Sequence, residues 1–272
     1  MKIVTDIQQH LKQTNSVEKL IYVNVAFFLV TVLFKNFVTH WFALPAAYGE
    51  LVSKPWTLIT YAFVHSRLFH ILSNLIILYY IGHLFLNFFS SKKLVVYYLM
   101  GLLVGGLMFV SYYSFSDAAT SFSLIGASAA VTAILIGLAT KIPHYAIRLR
   151  FIGSVELWIL AAIWIVLSAF TAAGINAGSG IAHLGGALTG FLLTSYLNEG
   201  AFLVNLLSFT PKRKKTPFKN VYKNKVKTKQ SYRHKKENQQ RVDKILEKIS
   251  KSGYDALNKE EKEFLFNQKG EN

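Results

Sequence analysis

The run Leu124-Ile125-Gly126-Ala127-Ser128-Ala129-Ala130 sets one hydroxyl in an otherwise apolar stretch, and the small residues around it leave room for other helices to approach closely. Taken alone, a Ser in such a setting usually bonds back to its own backbone or across to a neighbouring helix. Its place in the chain gives it more weight. Apolar runs at about 19–39, 63–87, 94–115, 123–140, 155–173 and 178–198 are separated by short polar connections. The expected fold is therefore all-α, a polytopic membrane protein with six spans, and Ser128 belongs to the fourth.

Composition agrees. With 52% hydrophobic and 14% aromatic residues over 272 positions, the chain is too apolar for one soluble domain of this size. The formal charge of +16 is concentrated in the C-terminal quarter, behind the apolar region, which favours a membrane-adjacent tail that anionic lipid would hold over a nucleic-acid surface. No Cys is present, so disulfides and cysteine-protease chemistry are excluded.

Residues 1–18 are too hydrophilic for a secretory signal peptide and lack a cleavage-site pattern. Between about 40 and 62 lies an aromatic-rich loop suited to the headgroup boundary. Lys92 and Lys93 follow span two, Lys141, Arg148 and Arg150 follow span four, and the basic tail follows span six. By the positive-inside rule both termini are expected to be cytoplasmic. The six-helix domain covers 19–200, and 211–240 reads as a basic disordered linker. Segment 241–270 regains helical spacing through Val242, Ile245, Leu246 and Ile249, with a break at Gly253 and a capping-box pattern at Asn258 and Glu261; a small cytoplasmic helical hairpin is expected.

Under this topology spans two, four and six all enter from the outer face. Ser128 and His183 then fall about five residues into their spans, roughly 8 Å down at helical rise. His70 reaches a similar level, and Asn74 lies one turn deeper on the same helix face. Each such residue alone often serves as an interhelical hydrogen-bonding group, but four in one shallow layer point to a site. Residue types then separate the chemistries that cut a peptide bond inside a membrane. No H-E-x-x-H run exists for a metal mechanism, and Asp6 and Asp117, both outside the spans, are the only Asp residues before the tail. Serine with histidine remains.

Residues 19–198 resemble the rhomboid family of intramembrane serine proteases. Three motifs carry the resemblance: His65-x-x-x-x-His70-x-x-x-Asn74 in span two, Gly126-Ala127-Ser128-Ala129 in span four, and Ala182-His183-x-x-Gly186-x-x-x-Gly190 in span six. The 241–270 segment also resembles a small helical appendage found on some bacterial rhomboids. The resemblance implies a Ser128–His183 dyad without a carboxylate orienter. Asn74, His70 and the Ser128 N–H would form the oxyanion hole; Gly126 would allow close backbone approach, and Gly186 and Gly190 would let span six pack on span four. It further implies no cofactor or metal, transmembrane proteins as substrates, and a bacterial inner membrane with the site open to the outer face. His65 matches a structural position of the family.

Four residues depart from the family's pattern. Ala129 stands where Gly usually follows the serine, Thr57 where an Arg follows Trp56, Leu86 where an acidic residue is common, and Thr132 where an aromatic often lies beneath the histidine. Ala129, Thr57 and Leu86 motivate an alternative, a catalytically silent relative that binds and escorts membrane helices. A transporter or channel ranks last, since no inverted repeat and no intramembrane charge is present.

Overall fold

In the computed structural model, residues 14–114, 122–150, 153–174, 176–207 and 225–268 are described. They divide into two units, one up to Phe209 and one from Thr210.

The first unit is a helical bundle. Helix α1 (Ser16–Leu33) starts on a capping box in which Asn15 and Glu18 bond each other's backbone, and only Val17, Asn24 and Thr31 along it are buried. It breaks at Phe34, inside the expected first span, and α2 (Lys35–Phe42) follows. The aromatic loop then folds into β1 (Leu44–Pro45), α3 (Tyr48–Ser53) and α4 (Thr57–Thr60). Its aromatics anchor it: Trp56 stacks on Trp41 at 6.4 Å and donates its indole N–H to the Trp41 carbonyl at 2.7 Å. Thr57, at the departing position, is fully buried and turns its hydroxyl to the Lys54 carbonyl.

Helices α5 (Leu68–Phe88) and α6 (Ser91–Tyr113) come next, and β2 (Ser123–Leu124) pairs antiparallel with β1. Helix α7 (Ser128–Lys141) is the centre of the core: Ala129 through Ala139 are all buried. A hairpin of β3 (Ala146–Leu149) and β4 (Gly153–Glu156) leads to α8 (Leu157–Ala172), and α9 (Ala177–Ser195) returns against α7 and α6.

Among the described residues three helices, α1, α5 and α6, are long and apolar enough to cross a membrane. A fourth is added if α9 and the Asn198–Asn205 segment, bent by 93°, are counted as one, while α7 and α8 are shorter apolar helices. The expectation of six spans is thus met in part, as a mostly helical membrane protein.

Two boundaries differ from expectation. The fourth apolar run was read as helix from about 123, but α7 begins at Ser128, because Gly126 takes φ +107° and the residues before it pair as β2. In the second unit, α11 (Lys225–Ser252) is helical where 225–240 was expected to be linker; α10 (Ala201–Leu207) precedes it. No Gly or Pro occurs between Pro217 and Gly253, and Lys, Gln, Glu and Arg are good helix formers, so high charge did not prevent a helix. Residues 211–224 lie outside the described residues. After α11, Gly253 at φ +78° turns the chain into α12 (Lys259–Gln268), capped by Asn258 and Glu261 and closed over Ile245 and Leu257.

Candidate active site

The β1–β2 pairing and α7 together place Ser128. The Gly126 N–H donates to the Tyr61 carbonyl at 2.9 Å, and the Ala127 N–H points to His65 Nε2 at 3.4 Å. His65 is fully buried and acts here as a backbone tether. A side chain at Gly126 would lie 2.6 Å from the His70 ring, so the absence of a Cβ lets that imidazole sit on the backbone two residues before Ser128. As the first helical residue, Ser128 has a backbone N–H with no intrahelical acceptor. Ser128 is thus reached from a non-helical segment, residues 123–127, rather than five residues into a helix.

Opposite, α9 carries His183. Its Nε2 lies 2.7 Å from Ser128 Oγ, the distance of a sound hydrogen bond between residues 55 apart in the chain. The helices come this close because a Cβ at Gly186 would collide with the Ala129 carbonyl, and one at Gly190 with the Ala133 carbonyl and the Gly137 nitrogen. The methyl of Ala129 faces α6, turned towards Gly105 and filling the space a side chain there would need.

On the far side of the imidazole is α8. Ser168 Oγ lies 3.4 Å from His183 Nδ1 and donates to the Trp164 carbonyl at 2.7 Å. The Trp164 ring lies against His183 at 5.9 Å between centroids, inclined by 34°. Its indole N–H donates to Thr132 Oγ1 at 2.8 Å, and that hydroxyl donates to the Ser128 carbonyl at 2.7 Å. The aromatic missing at Thr132 is therefore supplied from a different helix. Neither Trp164 nor Ser168 stood out in the sequence. The available signals were the non-aromatic residue at Thr132 and a Trp four residues before a Ser on an apolar helix, where both share a face.

Asn74 is buried at 6% exposure, one turn beyond His70, with its amide donating to the His70 carbonyl at 2.8 Å. His70 lies against Gly126, two residues before Ser128. Ser128, His183 and His70 thus come from three helices, with Asn74 bonded back to the His70 carbonyl one turn along α5. Beside them opens a pocket of about 380 Å³, with Arg67, His70 and Asn176 at polar positions and Phe109, Tyr113 and Phe122 as apolar lining.

The chain belongs to the rhomboid family: residues 52–199, more than half its length, match the Rhomboid domain. Among curated proteins it is similar to "Rhomboid-like protease 3" of Toxoplasma gondii, 28% identical over 162 residues, covering 57% of each chain. It is also similar to "RHOMBOID-like protein 12, mitochondrial" of Arabidopsis thaliana, 30% identical over 159 residues, covering 54% of this chain and 47% of that one. The chain thus spans about half the length of the curated relatives it matches. Residues 229–267 match a family of unknown function.

Proposed function

We propose that the chain is an intramembrane serine protease in which Ser128 and His183 form the catalytic dyad. The observation that carries this is the 2.7 Å approach of Ser128 Oγ to His183 Nε2 from two helices locked by glycine contacts. Ser128 gives its proton to Nε2 as its oxygen adds to the scissile carbonyl. The developing oxyanion is held by the Ser128 N–H, with Asn74 and His70 as further donors, in a water-poor site where such bonds are strong. His183 then protonates the leaving amine, and a water deacylates the enzyme with His183 again as base. The pocket beside His70 gives water and an unwound substrate segment access to the layer.

In this reading α1, α5, α6, α7, α8 and α9 are six spans, with both termini on one side and the polar layer opening to the other. Helix α7, at about 21 Å, is shorter than a bilayer core of about 30 Å. Its burial supports the assignment, because backbone shielded by protein does not need to be helical throughout the membrane. Substrates are transmembrane proteins whose helices loosen near that face, and the basic C-terminal segment meets anionic lipid.

The test is labelling of the purified protein by a fluorophosphonate, together with cleavage of a transmembrane substrate carrying helix-weakening residues. Both are expected to vanish in Ser128→Ala and His183→Ala. Binding of that substrate without cleavage by the wild-type protein would instead establish the silent escort, the reading that the departures at Ala129, Thr57 and Leu86 favour.

A further inference from the structure

We propose that Ser168, with Trp164, is a positioning residue for His183: a neutral hydroxyl takes the third place in the relay and fixes the imidazole tautomer that can accept the Ser128 proton. The inference rests on the dyad reading above and deepens it.

Proton counting leads to it. A serine hydroxyl has one hydrogen and two lone pairs. Ser168 commits its hydrogen to the Trp164 carbonyl at 2.7 Å, so only lone pairs face His183 Nδ1 at 3.4 Å. A bond across that gap needs the proton on Nδ1. Neutral imidazole carries one proton, so Nε2 is then a bare acceptor, aimed at Ser128 Oγ 2.7 Å away. The opposite tautomer would set an N–H against the serine and leave Nδ1 facing lone pairs. The donors thus run in one direction, from Ser128 to His183 to Ser168 to the Trp164 carbonyl, and no carboxylate is involved. Ser168 is buried, which keeps water from competing for Nδ1.

Trp164 serves twice. Its carbonyl orients the Ser168 hydrogen, and its ring covers the imidazole. Through its indole N–H it is tied to Thr132, which is tied to the Ser128 carbonyl. The aromatic cover and the nucleophile's backbone therefore share one hydrogen-bond chain. An aromatic side chain at Thr132 would leave Trp164 without this acceptor, so the threonine and the tryptophan form one arrangement. In the oxyacid triads of soluble proteases the third member also holds the tautomer and the ring orientation. A neutral hydroxyl does so more weakly, with no charge to bury in the membrane.

The experiment uses the full chain in detergent micelles. Turnover of the model substrate is measured for wild type, Ser168→Ala and Ser168→Thr. In parallel, selective ¹⁵N labelling of the eight histidines reads the tautomer of His183, assigned by the signal lost in His183→Gln. In wild type the proton is expected on Nδ1. In Ser168→Ala, kcat should fall roughly three- to tenfold, the worth of one neutral hydrogen bond, with KM unchanged and the tautomers mixed. Ser168→Thr, which keeps the hydroxyl, should restore both. If wild type turns over and Ser168→Ala matches it in kcat and in tautomer, the relay is overturned while the dyad stands. If wild type does not cleave, the protease reading fails, and the spectrum still decides the relay: a proton on Nε2 overturns it, and an Nδ1 proton lost in Ser168→Ala supports it.

Discussion

Helices α7 and α8 both border His183, yet they are built in opposite ways. Along α7 every residue from Ala129 to Ala139 is buried, with Ala, Gly and Thr at the points where other helices touch. Along α8 only Leu157, Ala161 and Ser168 are buried, and Ile163, Val166, Leu167 and Phe170 are among the large side chains it turns outward. The first is a rod fixed on all sides; the second is held by one narrow face. The Ser128 hydroxyl sits on the fixed rod, where its distance to the imidazole is set by backbone contact. The groups that orient the imidazole come from the loosely held one. On the proposed mechanism, charge stabilisation and proton orientation come from opposite sides of one ring, and a substitution on each side should cost very different amounts.

The largest separation is expected between an oxyanion donor and an orienting hydroxyl. On the proposed mechanism Asn74→Ala removes an oxyanion donor and should lower kcat on the order of 10²- to 10³-fold with little change in KM. Ser168→Ala should cost no more than about tenfold. Single-turnover cleavage of one substrate by both variants ranks them, and the reverse order would place the chemistry on the α8 side.

The same contrast explains what the sequence disclosed. The pairing of Ser128 with His183 was legible from their similar depth and from the motifs around them, and glycine at i and i+4, as at Gly186 and Gly190, marks a close crossing. The start of α7 was not legible: a run of small apolar residues reads as helix, and nothing in it announces the strand at Ser123–Leu124 or the positive φ at Gly126. The two-residue strands β1 and β2 are too short to show alternation, and they pair across almost eighty residues. Trp164 and Ser168 stayed hidden because α8 is apolar all round, so nothing in its pattern tells the packed face from the exposed one.

At the next level, stability should distinguish the two surfaces directly. Gly186→Ala places a methyl into the Ala129 carbonyl, where only backbone movement can relieve it. Overpacking of this kind costs about 1–3 kcal/mol and should lower the unfolding temperature in detergent. Phe170→Ala removes a much larger group from α8, but one that is 72% exposed, and should stay within about 0.5 kcal/mol. Equal losses in the two variants would mean that α8 is packed as tightly as α7.

The smallest effect is expected at the other end of α7, where the rod is pinned by charge. Glu199 follows α9 in a left-handed backbone conformation at φ +57°, and its carboxylate lies between Lys141, the last residue of α7, at 2.6 Å and Lys93 of α6. Hydrogen bonds from Lys141 and Lys93 hold the Glu199 carboxyl below its ordinary pKa. Because the folded value is depressed, the pairing contributes fully above the unfolded carboxylate range near about 4.3 and is lost as pH falls through the folded value. Lys141 is 45% exposed, so solvent screening limits the contribution to at most about 1 kcal/mol. Glu199→Gln should therefore lower thermal stability slightly at neutral pH, and the gap to wild type should close on acidification below about pH 4. A gap that persists at low pH would assign the effect to a poor fit of the amide beside the two ammonium groups rather than to the lost charge.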